Sequence, residues 1–115
     1  MVKPLLVVAV LGLAGCASVT IPADRLERSE ASLRSAEAVG AMDVPDARLH
    51  LELAKDQFTE ARKLASQGDS RALLVQSRAE ADAELALALA RESTMHADAL
   101  KANEDLRAVR ARPAN

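Results

Sequence analysis

The feature that most constrains the fold is a continuous stretch near the C-terminus, residues 71–112, that contains neither glycine nor proline. It consists largely of Ala, Leu, Glu and Arg, which are strong helix formers. At a rise of about 1.5 Å per residue, one helix over this stretch would be roughly 60 Å long. Because a chain of 115 residues has room for one small domain, we expect the fold to be arranged along this helix.

Two shorter helical patterns precede the long one, over residues 23–39 and 47–67. In both, apolar or small residues recur at steps of three and four, which places them on one face of a helix. The second pattern is the clearer and has the spacing of a coiled-coil seam, widened by Leu64. The face of the first comprises Leu26, Ser29, Leu33 and Ala36, and that of the second comprises Ala47, Leu51, Ala54, Phe58, Ala61 and Ala65.

Glycine and proline mark the breaks between these patterns. Gly40 fits the position that follows a helix C-terminus, and the break ends at Pro45. Gly68 and Asp69 fit a tight turn between the second and third helices. Short polar side chains commonly cap helix N-termini; the expected caps of the three helices are Asp24, Asp46, and Asp69 or Ser70.

Composition favours helices over strands. Half of the residues are hydrophobic, yet Phe58 is the single aromatic, whereas strands favour aromatic and β-branched residues. The sequence therefore predicts an all-α fold: a small antiparallel three-helix hairpin or bundle over residues 23–112, with a long, coiled-coil-like C-terminal helix. Residues 113–115 are expected to fray.

One apolar seam runs along the third helix, interrupted by Arg78 and Glu92. Residues 83–90 are apolar nearly all round, so we expect the first two helices to pack on the first half of helix three. The second half has no internal partner long enough to cover it; it either projects or pairs with another molecule. The seam comprises Leu74, Ala81, Leu85, Ala88, Met95, Ala99, Ala102, Leu106 and Val109, and its candidate contact residues are Leu85, Met95, Leu106 and Val109.

The N-terminus has the parts of a secretory signal. Lys3 precedes an apolar run over residues 5–13, which is too short to span a bilayer and has the length of a signal-peptide core. Leu13-Ala14-Gly15-Cys16 then resembles the bacterial lipobox. We expect cleavage between Gly15 and Cys16, removal of residues 1–15, and lipid on Cys16 as S-diacylglycerol with an N-acyl chain such as palmitate. Residues 16–22 would form the lipidated tether.

The residue after the cysteine influences sorting in Gram-negative lipoproteins, which this N-terminus resembles. An Asp at that position commonly retains the protein in the inner membrane, whereas this chain has Ala17 followed by Ser18. The resemblance implies a protein anchored by lipid in the outer membrane and facing the periplasm.

A longer resemblance covers roughly residues 16–89. It rests on the Cys16 start, an Ala- and Glu-containing first helix, a proline-containing break, and the stretch from Ala54 through Phe58 to Gly68-Asp69. An Ala-, Glu- and Arg-rich helix follows at residues 78–84. In these features the chain resembles the bacterial family called domain of unknown function 4398, which comprises small helical lipoproteins and lipoprotein-like domains. The family supplies no catalytic residue to transfer.

The sequence offers little for catalysis or for cofactors. Its two histidines, His50 and His96, lie on different predicted helices, without the convergent ligands a zinc site needs. No serine has a glycine-rich elbow, and Cys16 is assigned to lipid. The 15 basic and 17 acidic residues alternate along the helices and form no basic patch typical of nucleic-acid binding. We therefore expect no enzyme, no metal, no cofactor and no nucleic-acid partner.

These observations predict a lipid-anchored envelope protein that acts as a helical binding or scaffold module. Its partner would be a helical protein, a second copy, or peptidoglycan. One alternative is a structural spacer between outer membrane and peptidoglycan like the murein lipoprotein, but non-covalent, because that protein is linked through a C-terminal Lys and this chain ends at Asn115. Another is an accessory subunit of an envelope secretion or transport complex.

Overall fold

The computed structural model describes residues 18–113 and contains three α-helices: α1 (Ala23–Ala38), α2 (Pro45–Ser66) and α3 (Arg71–Arg110). A short 3-10 helix, Ala41–Asp43, lies between α1 and α2, and the described residues include no strand. The all-α, three-helix architecture with a long C-terminal helix is confirmed. The helix ends differ from the expected ones by two residues or fewer.

Both inter-helix turns use a glycine with positive φ. Gly68 has φ +72° and Gly40 has φ +90°, a conformation that costs a residue with a Cβ far more. After α2, the Gly68 N–H donates to Ala65 O and the Asp69 N–H donates to Leu64 O, both at 3.0 Å. These two bonds form a Schellman motif, which satisfies carbonyls at the helix end and reverses the chain direction.

Ser70 occupies the N-cap position of α3 but makes no side-chain capping bond. The residue before it, Asp69, accepts the Arg71 N–H through Oδ1 at 2.9 Å and so satisfies one N–H at the start of the helix. The predictions for Asp24 and Asp46 are wrong. α1 begins before Asp24, which instead pairs with Arg28 at 2.8 Å. α2 begins at Pro45, whose fixed φ suits the first helical position, so Asp46 lies inside the first turn without a capping bond.

The three helices run up, down and up. One apolar cluster joins the end of α1 to the start of α2 and the middle of α3, through Ala36, Leu51 and Ala90. At the other end of α1, Gln76 Nε2 donates to Ser29 Oγ at 3.0 Å. α1 and α3 are therefore parallel, α2 is antiparallel to both, and the second half of α3 extends beyond the α1–α2 turn.

The core pairs bulky side chains of α2 with alanines of α3. Phe58 packs with Ala79, Ala83 and the partly buried Leu33, and Leu51 is completely buried among alanines. Facing large and small residues fill the space between helices without voids. The buried face of α3 has the steps of a seam: Ala72, Gln76, Ala79, Ala83, Ala86 and Ala90.

The sequence-predicted seam of α3 is therefore not the buried one. Leu74 is 56% exposed and Leu85 is 41% exposed, and both lie on the side opposite the alanine face. Within residues 83–90, the buried side chains are Ala83, Ala86 and Ala90. Leu87 and Leu89 are partly buried against the same core. The small alanines are buried because they let α1 and α2 approach α3 closely.

The predicted tether is not wholly free. Within its described part, residues 18–22, the chain is not helical, yet the Ile21 side chain is only 6% exposed. It precedes the cap position Pro22, where an apolar residue commonly fixes how the chain enters a helix. Ile21 thus belongs to the bundle.

Candidate interaction surface

The candidate site is the solvent-facing side of α3, called here the outer stripe. Its residues are spaced by alternating steps of four and three, with Arg78 and Glu92 as polar interruptions. Every one of them is exposed. The outer stripe comprises Leu74, Ala81, Leu85, Ala88, Met95, Ala99, Ala102, Leu106 and Val109.

The second half of α3 gives the outer stripe its unusual exposure. Residues 91–110 are exposed without exception, so within the described part of the chain this half of the helix has no covering element. Met95 is 71% exposed and Val109 is 63% exposed. Single exposed apolar residues are ordinary, but an apolar row along one helix face marks an interaction surface.

The four candidate contact residues all lie on this surface. The structure places Leu85 beside the bundle and Met95, Leu106 and Val109 on the projecting half. The lipobox residues Leu13, Ala14, Gly15 and Cys16, and with them the predicted cleavage position, lie outside the described residues. The structure thus describes the candidate contact residues on α3 and does not describe the predicted lipid attachment site.

Polar contacts hold α3 to α1 at the end that carries the N-terminus. Arg25 forms a two-pronged ion pair with Glu80, with N–O distances of 2.9 and 2.5 Å. Hydrogen bonding to Glu80 raises the pKa of Arg25 above its ordinary value. Arg25 also donates to Ser77 Oγ at 3.1 Å. These contacts fix the orientation of α3 relative to α1.

Buried polar atoms lie next to this ion pair. Gln76 is completely buried, and its Nε2 donates to Ser29 Oγ, which in turn donates to Arg25 O at 2.7 Å. The Gln76 Oε1 atom has no protein partner among the described residues. An unpaired buried carbonyl oxygen costs free energy, so this position serves to orient the helices more than to stabilise them.

A second polar set joins α2 to α3 through Asp82. His50 Nδ1 lies 2.7 Å from Asp82 Oδ1, and Gln57 Nε2 donates to Asp82 Oδ2 at 2.8 Å. His50 is thus a half-buried residue between α2 and α3, whereas His96 is exposed on α3. Among residues 18–113, no group of three or more His, Cys, Asp or Glu side chains is placed to hold a metal ion.

Two shallow grooves flank α1. The one toward α3 has a volume of about 210 Å³ and the one toward α2 about 260 Å³. The first is lined by Arg25, Arg28, Ser29, Ser32, Glu80 and Glu84, and the second by Glu30, Leu33, Lys55, Phe58, Thr59 and Arg62. Charges of both signs line each groove, so neither offers the convergent donors or acceptors that fix a small ligand.

Comparisons with known proteins add no relative. No family model matches the chain, and no curated protein or solved structure is significantly similar to it. None of the described helices is long and apolar enough to cross a membrane. The N-terminal sequence and the outer stripe are therefore the two features of the chain that indicate a function.

Proposed function

We propose that this chain is a lipid-anchored bacterial envelope protein whose mature domain is a non-catalytic helical binding or scaffold module. The observation that carries the binding role is the outer stripe, which is exposed along a helix that outruns its own bundle. The anchor rests on Leu13-Ala14-Gly15-Cys16 and on the apolar run before it. The sequence features that resemble the domain of unknown function 4398 family, a family of small helical lipoproteins, agree with the anchor, although no family model matches the chain.

The orientation of α3 suits such a role. Ser29, near the middle of α1, lies at the level of Gln76, as their hydrogen bond indicates, and α3 continues to Arg110. The tip of α3 thus lies about 50 Å beyond the level of Ser29. With Cys16 lipidated, the bundle sits next to the membrane and the outer stripe is reachable from the same side of it, which for an outer-membrane protein is the periplasmic side.

Lipidation is tested by labelling cells with a palmitate analogue. The wild-type chain is expected to carry the label and to lose residues 1–15, whereas Cys16→Ala removes the thiol that receives diacylglycerol and leaves an unlabelled precursor. Ala17→Asp serves as the sorting variant and is expected to move the labelled protein to the inner-membrane fraction. An unlabelled wild-type chain, or label that persists in Cys16→Ala, would refute the anchor.

The binding role is tested by photo-crosslinking in cells. A photoreactive amino acid at Met95 or Leu106 lies on the outer stripe, and one at Glu104 lies on the opposite side of the same helix. We expect protein adducts from the two stripe positions and few from Glu104. Equal yields from all three positions would indicate random encounter and contradict a dedicated surface.

The spacer alternative makes a different prediction, favoured by the length of the exposed half of α3. If the chain is a spacer between membrane and wall, photo-crosslinking should give few protein adducts, and the protein should sediment with isolated peptidoglycan. Release of that material by high salt or detergent would agree with non-covalent binding. One dominant protein adduct from Met95 would favour a subunit of an envelope complex instead.

A further inference from the structure

The outer stripe has the spacing of a coiled-coil seam, but among the described residues no helix packs against it. Its steps of four and three continue from Leu74 to Val109, well past Ala90, where the intramolecular core ends. The positions that continue the buried face at the same steps are mostly polar and all are exposed: Ser93, Ala97, Leu100, Glu104 and Arg107. Over its second half, α3 is therefore built to pack through the outer stripe and not through the face that contacts α1 and α2.

The charges along one flank of the stripe suggest the direction of the packing helix. This flank has a charged residue at every seventh position within α3, and Arg112 follows two residues past the helix end. Reversing the order about its centre sets Arg91 against Asp105 and leaves Asp98 facing its own copy. The helical members of the flank are Glu84, Arg91, Asp98 and Asp105.

We propose that the outer stripe binds the outer stripe of a second copy of this chain in an antiparallel coiled coil centred near residue 97. Arg91 then faces Asp105 of the other copy, twice by symmetry, and Arg112 follows the end of the overlap on the side of Glu84 of the other copy. The overlap covers residues 84–110, which is about 40 Å of helix. This inference rests on the proposed function and names the partner of its binding surface. Because the two bundles then lie at opposite ends of the pair, both lipid anchors reach one membrane when the paired helices lie along its surface.

The seam residues fit this register by size. Met95 meets Ala99 of the other copy, and Ala88 meets Leu106, so a large side chain lies against a small one. Leu85 meets Val109, which covers the apolar ends of the overlap. Glu92 meets Ala102 of the other copy, and the small alanine leaves its carboxylate a path to solvent.

The competing arrangements bring like charges together. In a parallel, in-register pair, Arg78 would meet Arg78 and Glu92 would meet Glu92 inside the seam. Sliding the antiparallel pair by seven residues in one direction sets Asp98 against Asp105. Sliding it in the other direction sets Arg91 against Asp98 but also Glu84 against Asp105, so each attractive pair is offset by a repulsive one. Like charges at these positions disfavour pairing and thereby select orientation and register.

The orientation is tested by disulfide formation between two differently tagged full chains produced in the same cells. One copy carries Leu85→Cys and the other Val109→Cys, with the parent chain, whose single cysteine is Cys16, as control. We expect a mixed disulfide and no disulfide dimer of the Val109→Cys chain alone, since those two thiols would lie about 36 Å apart along the axis. Disulfide dimers of Val109→Cys alone would indicate parallel packing and overturn the inference.

The charge pairing is tested by a swap measured through sedimentation equilibrium of the full chain in detergent. Arg91→Glu and Asp105→Arg are each expected to weaken dimerisation about tenfold, because each change is present twice. Arg91→Glu combined with Asp105→Arg restores opposite charges and is expected to restore dimerisation. Glu104→Arg, a matched reversal on the opposite face, is expected to leave it unchanged. Failure of the combined variant to recover would refute this register.

The outcomes also separate this inference from the proposed function. A strictly monomeric chain that crosslinks through Met95 to a different envelope protein overturns self-pairing and leaves the anchored binding module standing. A dimer of a chain that receives no palmitate label supports self-pairing and refutes the anchor.

Discussion

At the residue scale, Asp69 has two roles in the α2–α3 turn. Its Oδ1 atom accepts the backbone N–H of Arg71 at 2.9 Å, and its Oδ2 atom lies 2.6 Å from Arg71 Nη2. The hydrogen bond from the Arg71 side chain, together with the one from its backbone, lowers the pKa of Asp69. The turn that sets the direction of α3 therefore depends on an ionised carboxylate.

This lowered pKa gives a pH dependence with a definite sign. A carboxyl whose pKa is lower in the folded state stabilises the fold above its unfolded pKa and loses that contribution as the pH falls through the folded value. Asp69→Asn keeps a capping oxygen without the charge. Its melting temperature should lie below wild type at neutral pH and converge with it in acid, as followed by circular dichroism. Asp56→Asn, at an exposed α2 position, is the control; equal losses in both variants at neutral pH would contradict this role.

At the element scale, α3 shows which part of a helix a sequence pattern predicts and which it does not. The absence of Gly and Pro predicted the length of α3, because those residues are the strongest helix breakers. The pattern did not assign the buried face: Leu74 and Leu85 of the apolar seam are exposed, although burying their larger apolar area would be more favourable than burying alanine. The alanine face is buried because it allows α3 to approach Leu51 and Phe58 of α2 closely. The pattern within a single helix does not contain this contact between two helices.

The α3 faces can be distinguished by two exchanges of Ala and Leu, which have similar helix propensities. Ala83→Leu adds volume where Phe58 packs and should lower the free energy of unfolding by about 1–3 kcal/mol. Leu85→Ala removes an exposed side chain and should change it by less than about 0.5 kcal/mol. Urea unfolding of dilute protein measures both. A larger loss of unfolding free energy for Leu85→Ala than for Ala83→Leu would contradict the burial of the alanine face.

The candidate site was more predictable than the core. Leu85, Met95, Leu106 and Val109 follow from heptad spacing alone. The exposure of Met95, Leu106 and Val109 agrees with the expectation that helix three outruns its partners, whereas Leu85 is exposed beside the bundle. The polar contacts of Arg25 with Glu80 and of His50 with Asp82 join residues far apart in sequence. No local pattern marks those pairs, because many charged residues on each helix could have met.

At the scale of the whole molecule, the chain divides into a bundle and a projecting helix. All clustered apolar contacts of the described residues involve positions up to Ala90, and residues 91–110 are exposed. The stability of the bundle should therefore be independent of the projecting half, which is available for binding without a cost to the fold.

Truncation tests this division. A chain that ends at Arg91 should melt within about 2 °C of the full chain in dilute solution, since it keeps the core. A chain that ends at Glu84 loses Ala86 and Ala90 and should melt much lower or fail to fold. Self-pairing adds a second signature, because association makes the melting temperature rise with concentration. That rise should occur in the full chain and vanish in the chain ending at Arg91.

The parallel course of α1 and α3 sets the reach of the molecule. With the N-terminus lipidated as proposed, the tip of α3 samples a layer within about 50 Å of the membrane surface. Confinement to that layer raises the effective concentration of the tip for any site inside it, in the way that a linker does between two binding modules. An alanine-rich face of low intrinsic affinity is then sufficient for binding, and targets beyond the layer are not met at any affinity.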